Sequence, residues 1–417
     1  MNKAKKIRLS LKQTREKRKL QTPKVFQLKL QNLSKSDIKT LERLFLEAKW
    51  LYNYLLADID SRLNKKSEKL KAVEVKTPNG FEKRELKLLG SQVKQGIIER
   101  IKTSLKALKT IKEQGYKVGK LQFKSDFKSI PLKQFGITYK IDFKRSRIKV
   151  QGIKKWFRVL GLHQIPKNSE IANALLVKKP SGFYLYVVCY LWKEEVLRKI
   201  KQKQTSIPVG IDLGIKYQLT LTTGERFKWY IPGTKRLKRL QNILARKKKG
   251  SKNYQKIKRL IQKEWEYIKN KRKDVQNKVI GYLKRFPFIA VQRDDIKGWH
   301  KGLFGKEVQN TGIGGITARL KYLATLIPVE FVPKYEATTQ TCCRCSFKQK
   351  VELNERTYKC QKCDLEIDRD LNGAWNILKI GLKQLAKKNK ALADRLKSAL
   401  PVDCGKVTPV EWGLSPR

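Results

Sequence analysis

Residues 342–363 read CCRCSFKQKVELNERTYKCQKC. Cys342 and Cys345 form one CxxC pair, Cys360 and Cys363 a second, with fourteen residues between them. Two knuckles at this separation can turn four thiolates onto one tetrahedral ion, so the spacing predicts a zinc ribbon. Four thiolates leave no open coordination position, and the zinc is expected to be structural. Cys343 is left unliganded, because a CxC spacing does not reach as CxxC does. Cysteines gathered into knuckles point to metal in a reducing cytoplasm rather than to a disulfide scaffold.

The charge balance bounds the partners. Against 36 Asp+Glu stand 97 Lys+Arg, a formal net charge of +61. An excess this large repels itself in a compact fold unless a polyanion neutralises it, and nucleic acid is the default polyanion. An anionic membrane is the weaker option. No run of about 18 apolar residues occurs, and the longest apolar stretch, FYLYVVCYLW (183–192), is strand-sized. Only His163 and His300 are present, which removes Ser-His-Asp, Cys-His and His-pair metal chemistry. Any reaction must run on carboxylates and metal.

Along the chain, residues 1–20 read as a mobile basic arm. A strand at 24–31 and short alternating runs over 121–192, such as GITYKIDF and RIKVQGI, argue for an antiparallel barrel-like unit. Helical spacing of Leu41, Leu44, Leu51 and Leu55, resuming from Ser91 to Gln114, places a helical insertion between them. Residues 235–285 carry twenty Lys/Arg against three acids, with apolar positions at helical spacing on either side of a turn, KKKGSKN. This predicts a helical hairpin with a cationic face, on which Lys235, Arg236, Lys238, Arg239, Arg246, Lys247, Lys248 and Lys249 would contact phosphates without reading sequence. TGIGG (311–315) lacks a following Gly-Lys-Ser/Thr and is not a phosphate loop.

Three stretches carry the chemistry. In IPVGIDLGIK, Val209, Ile211 and Leu213 share one strand face and Asp212 the other, between two glycines that would let a ligand approach the backbone. In IDRDLNGAWNIL, Asp370 opens a helix, and Asp368 or Asp370 could equally be its N-cap. In FPFIAVQRDDIKGW, a buried strand ends not on an acid but on Gln292. Trp299 just beyond it suits base stacking or core packing equally.

Taken in order, GIDLGIK, the strand before IKGW, the two CxxC knuckles and DRDLNGAWNIL resemble TnpB, the transposon-encoded RNA-guided DNA endonucleases related to type V CRISPR effectors. The likeness is close over about residues 205–380 and holds only in outline before that. It implies an α/β RNase H-like (RuvC) nuclease domain interrupted by the ribbon, preceded by a β-barrel wedge domain carrying a helical recognition insertion. The expected boundaries are a basic arm at 1–20, the wedge at 21–33 and 121–205, and the insertion at 34–120. The nuclease domain takes 206–337 and 367–385, the ribbon 338–366, and a tail 386–417 to which no role is assigned.

The resemblance makes Asp212 the first catalytic carboxylate and Asp370 the last. The family's middle acid, usually Glu, falls where this chain has Gln292. Glu336, just past a strand over 328–334 expected to neighbour 288–291, is the first candidate to replace it. Asp294 and Asp295 are the alternatives, and the site could also lack a replacement. Two Mg²⁺ ions and one Zn²⁺ are implied, with a guide RNA from the transposon end and double-stranded target DNA beside a short motif as partners. The setting is the cytoplasm, on a bacterial or phage nucleoid. A nuclease-deficient guided DNA-binding repressor remains the alternative, and an RNA-binding structural protein would leave Asp212 and Asp370 without a purpose.

Overall fold

A computed structural model describes residues 3–63, 67–352, 355–401 and 404–414. The first two residues of the expected arm, 353–354 of the ribbon, and 402–403 and 415–417 of the tail lie outside them. The chain divides into two compact units, Met1–Lys193 and Glu194–Arg417.

In the first unit, β1 (Gln21–Gln31), β4 (Ser129–Leu132), β5 (Tyr139–Asp142), β6 (Arg147–Val150), β7 (Phe157–Leu160), β8 (Glu170–Lys179) and β9 (Gly182–Trp192) form one sheet. Their order is β4-β8-β9-β1-β7-β6-β5, every pair antiparallel. Alternation decides which face is covered. Phe26, Leu28 and Leu30 of β1 and Phe183, Leu185 and Val187 of β9 are buried together, against Leu41, Leu44, Leu51 and Leu55 of the helix Lys35–Ala57. Ser34 and Asp37 close that helix's first turn as a reciprocal capping box.

Two expectations are corrected in this unit. Residues 3–19 form a helix rather than a mobile arm. Its end is pinned, because the Arg18 guanidinium lies 3.4 Å from the Tyr190 ring and 2.6 Å from Glu170, which also pairs with Lys17 at 2.9 Å. The insertion is not wholly helical either. β2 (Ala72–Thr77) and β3 (Gly80–Glu85) make an antiparallel hairpin whose turn places Gly80 at φ +117°. The Asn79-Gly80 dipeptide is a hairpin signal in its own right.

The second unit is built on a mixed sheet of β10 (Val209–Asp212), β11 (Leu219–Leu221), β12 (Glu225–Lys228), β13 (Ile289–Gln292), β14 (Val329–Val332) and β17 (Val410–Gly413). The order is β14-β13-β10-β11-β12-β17. β10, β13 and β14 run parallel, whereas β10, β11 and β12 form an antiparallel meander. β15 (Thr357–Lys359) and β16 (Glu366–Asp368) pair separately as the ribbon's hairpin.

The helix Arg369–Lys388 lies against β10 and β13 so closely that glycines are required at both contacts. A Cβ on Gly210 would stand 2.2 Å from the Ala374 carbonyl oxygen, and one on Gly381 would stand 2.5 Å from the Ala290 Cβ. The space beside Gly210 is therefore filled by a helix, not kept for a ligand, which corrects the reading of that glycine. Gly210→Ala is expected to destabilise this unit by roughly 2–4 kcal/mol through overpacking against backbone. Denaturant unfolding would measure it, and an unchanged midpoint would contradict the packing.

Candidate active site and metal centre

The parallel run of β10 and β13 sets Ile211 beside Val291, so Asp212 and the residues after Gln292 leave the sheet at the same end. Asp370, in the first turn of the helix Arg369–Lys388, faces the same spot. The Asp212 carboxyl is desolvated and lies within the fields of Asp370 and Asp294, which together hold its proton affinity well above the usual carboxylate range. Arg369 opposes this in part. Asp294 is pushed up to about 6 by burial, against the pull of Lys334. Its Oδ2 is buried with no hydrogen-bond partner among the described residues. Asp370 and Asp294 thus converge on a desolvated Asp212, and with the orphaned oxygen of Asp294 they form a carboxylate donor set. The set suits a divalent cation's preference for carboxylate oxygen.

Asp368, not Asp370, is the N-cap. Its Oδ1 accepts from the backbone N–H of Asp370 and of Leu371, each at 3.0 Å, and its other oxygen pairs with Arg226. Asp370 is left for the site, with only the loose approaches of Arg369 at 3.6 Å and Arg356 at 3.8 Å. Asp295 is occupied elsewhere. It caps the short helix Ile296–Lys301 by accepting from Gly298 N–H at 3.0 Å, and that bond, with Lys334 3.7 Å away, keeps its carboxyl below the usual range. Glu336 is exposed in the loop after β14. Trp299 is half-buried and packs on the core.

Gln292 is 8% exposed and bonded on both ends of its amide. Nε2 donates to the carbonyls of Pro333, Lys334 and Glu336, while Oε1 accepts from the Thr338 hydroxyl. Two further buried amides continue the pattern. Asn376 Nδ2 donates to Thr338 O and Thr341 O, and Asn372 donates to Thr341 O while accepting from Cys343 N–H at 2.8 Å. Sequence reasoning weighed Asn372 only as part of a motif and missed Asn376. The available signal was their i, i+4 spacing on the helix face that also bears Gly373.

The Sγ atoms of Cys342, Cys345, Cys360 and Cys363 all lie within 4.8 Å of one another, with Cys342–Cys363 at 3.6 Å and Cys345–Cys360 at 3.5 Å. Tetrahedral Zn–S bonds of about 2.3 Å need edges close to these. Backbone N–H groups of Arg344 and Lys362 point at Cys342 and Cys360 sulfur, each at 3.4 Å, as knuckle amides do for thiolates. Ser346 and Asp364, one residue past each knuckle, take the left-handed conformation at φ 63° and 54°. The set fits zinc. Cys343, as expected from its spacing, takes no part in it, and it is disulfide-bonded to Cys404.

All eight basic residues expected on the helical hairpin, from Lys235 to Lys249, are exposed on or just after the helix Lys235–Ala245. Lys235, Lys238, Arg239 and Arg246 line one shallow groove. Thr234 caps this helix and donates to Glu264 of the helix Lys252–Leu283, which holds the two together. No helix among the described residues is long and apolar enough to cross a membrane.

Comparison with known proteins matches two family models. Residues 188–285 match "Probable transposase", and residues 314–377 match "Cas12f1-like, TNB domain". A "Putative RNA-guided DNA endonuclease" of Streptomyces pristinaespiralis is 30% identical over 43% of this chain and 46% of its own length. "Putative RNA-guided DNA endonuclease InsQ" of Escherichia coli (strain K12) is 29% identical over 59% of this chain and 65% of its own. "TnpB-like protein L79" of Acanthamoeba polyphaga mimivirus is 29% identical over 42% and 37%. The chain thus spans about a third to two thirds of these relatives' lengths. The two family models cover the basic hairpin and the ribbon on either side of strand β13, and over these parts the chain is similar to RNA-guided DNA endonucleases and TnpB-like proteins.

Proposed function

We propose that this chain is an RNA-guided DNA endonuclease of an insertion sequence, cutting phosphodiester bonds with carboxylate-held metal in a RuvC-like (RNase H-like) domain. The observation that carries the reading is the convergence of Asp294 and Asp370 on the desolvated Asp212 at one end of parallel strands. Asp212 and Asp370 would hold the ions, with Asp294 offering its orphaned oxygen and Glu336 a further carboxylate from the loop after β14. Two divalent ions bound there would ready a water for attack and stabilise the leaving oxygen. Arg369 and Arg356 flank Asp370 and offset phosphate charge as the strand enters. The ribbon cysteines hold a structural zinc that takes no part in the reaction.

The exposed cations from Lys235 to Lys249 bind nucleic-acid backbone, and base pairing with a guide RNA would read the target beside a short motif. The amide at position 292 favours a second reading, guided DNA binding without cutting.

One experiment separates the two. The chain is co-purified with RNA from its own locus and given matching double-stranded DNA with Mg²⁺. Cutting that Asp370→Ala abolishes is the expected result, whereas tight guided binding without cutting supports the repressor. Affinity for the RNA should fall steeply between roughly 50 and 200 mM salt, because counterions are released on binding. A flat salt response would sink both readings.

A further inference from the structure

We infer that Gln292 is a positioning residue: its amide gathers the loop 333–338 and so fixes Glu336 beside the acid cluster. The inference rests on the metal-nuclease reading above. Nε2 lies 3.3 Å from Pro333 O, 3.2 Å from Lys334 O and 3.1 Å from Glu336 O, and Oε1 lies 3.0 Å from Thr338 Oγ1. Three carbonyls converging on one nitrogen require a donor at that tip. A carboxylate there would face three acceptors in a buried place, so the isosteric glutamate is the wrong chemistry.

The far end of the same segment is held from the other side. Asn376 Nδ2 stands 2.8 Å from Thr338 O and 2.6 Å from Thr341 O. Thr339 Cγ2 and Asp212 Oδ2 each lie 3.3 Å from the Cβ position of Gly373, so the segment and Asp212 border the same glycine. The loop is therefore tied at one end to the strand leading to Asp294 and at the other to the helix bearing Asp370. Glu336 sits between the ties, its own carbonyl in the grip of Gln292 and its side chain exposed. An amide at position 292 thus delivers an acid on the neighbouring loop instead of presenting one itself. A carboxylate substituted at Gln292 would release the acid that the loop supplies.

The test reads Mn²⁺ binding to the full chain by electron paramagnetic resonance, which does not depend on cleavage. Gln292→Glu, although it adds an acid, is expected to weaken Mn²⁺ binding at least fivefold, about as much as Glu336→Gln. The double variant Gln292→Met/Glu336→Gln is expected to be no weaker than Glu336→Gln alone, since both changes remove the same contribution. Tighter or unchanged binding in Gln292→Glu, or losses that add in the double variant, would overturn the inference. Should Gln292→Glu not fold, Gln292→Met, which keeps the shape and lacks the donor, carries the test.

A second measurement keeps the inference apart from the reading beneath it. If Mn²⁺ binds the wild type no better than Asp212→Asn, the metal-site reading fails, and amide hydrogen exchange decides on the clamp. Gln292→Met should then raise exchange across 333–341 at least tenfold while the ribbon strands at 357–368 stay at the wild-type level. Equal exchange across 333–341 would show that Gln292 positions nothing.

Discussion

Asp212→Asn is expected to abolish DNA cleavage and, in the same protein, to raise the melting temperature of the metal-free chain. The first effect follows from removing the carboxylate that lies in the fields of both Asp294 and Asp370, and a loss of at least roughly 10³-fold is expected from losing a carboxylate that would hold the metal. The second follows from the direction of the proton affinities. Burial and two like charges raise Asp212, and burial raises Asp294 to about 6. Both carboxyls bind protons more tightly folded than unfolded, so stability of the metal-free protein declines as pH climbs from the unfolded value through the folded one.

For Asp294 that window runs from 3.8 to about 6, a cost on the order of 3 kcal/mol that persists above it. Asp212→Asn and Asp294→Asn should each flatten the decline, as seen in thermal melts from pH 4.5 to 8 without divalent metal. Adding Mn²⁺ should stabilise the wild type and leave Asp212→Asn unmoved. A variant that melts at or below the wild-type temperature at pH 8 would mean that the acids do not strain one another.

Loss of the zinc should also cost activity, by another route. Cys360→Ser removes one of four thiolates, and structural zinc is worth on the order of 10 kcal/mol to a small domain that has little else to hold it. The ribbon's own strands are three residues each, too short to stand alone. Damage should spread because the first knuckle is joined to the Asp370 helix by Cys343 N–H on Asn372 and by Asn376 on Thr341 O. The expected result is less than one zinc per chain by a metallochromic assay, fast exchange across the ribbon, and cleavage reduced at least tenfold. Full zinc content with wild-type exchange in Cys360→Ser would remove the four-thiolate site.

How much of this was legible depended on whether a residue's role is local. The cysteine knuckles follow from spacing alone, and β10 from alternation around Asp212. The hairpin 235–285 shows its period and its turn. The edge strand β17 showed nothing, because its four exposed residues owe their conformation to β12 alongside. The helix over 3–19 was misjudged because its anchor, Glu170, lies 152 residues away from Arg18. At the site, Asp212 stood out by its alternation and its flanking glycines, whereas Asp370 was singled out only through the family resemblance. The standing of Asp294 was not, since burial and an orphaned oxygen are tertiary facts. Gln292 read as a missing acid because a sequence shows the side chain but not the carbonyls it gathers. Asp368 and Asp370 could not be told apart until the helix start was fixed.

The alignment of β10 with β13 and of β13 with β14 has a consequence for tolerance to insertion. Parallel neighbours deliver their last residues to a common rim only while they stay in step, and each residue along a strand turns to the opposite face. Adding one amino acid before Val209 or before Ile289 would leave composition, charge and every cysteine untouched, yet swing one acid through the sheet. Directed evolution of this chain should therefore accept lengthened loops on the far rim and purge single-residue indels within these short strands.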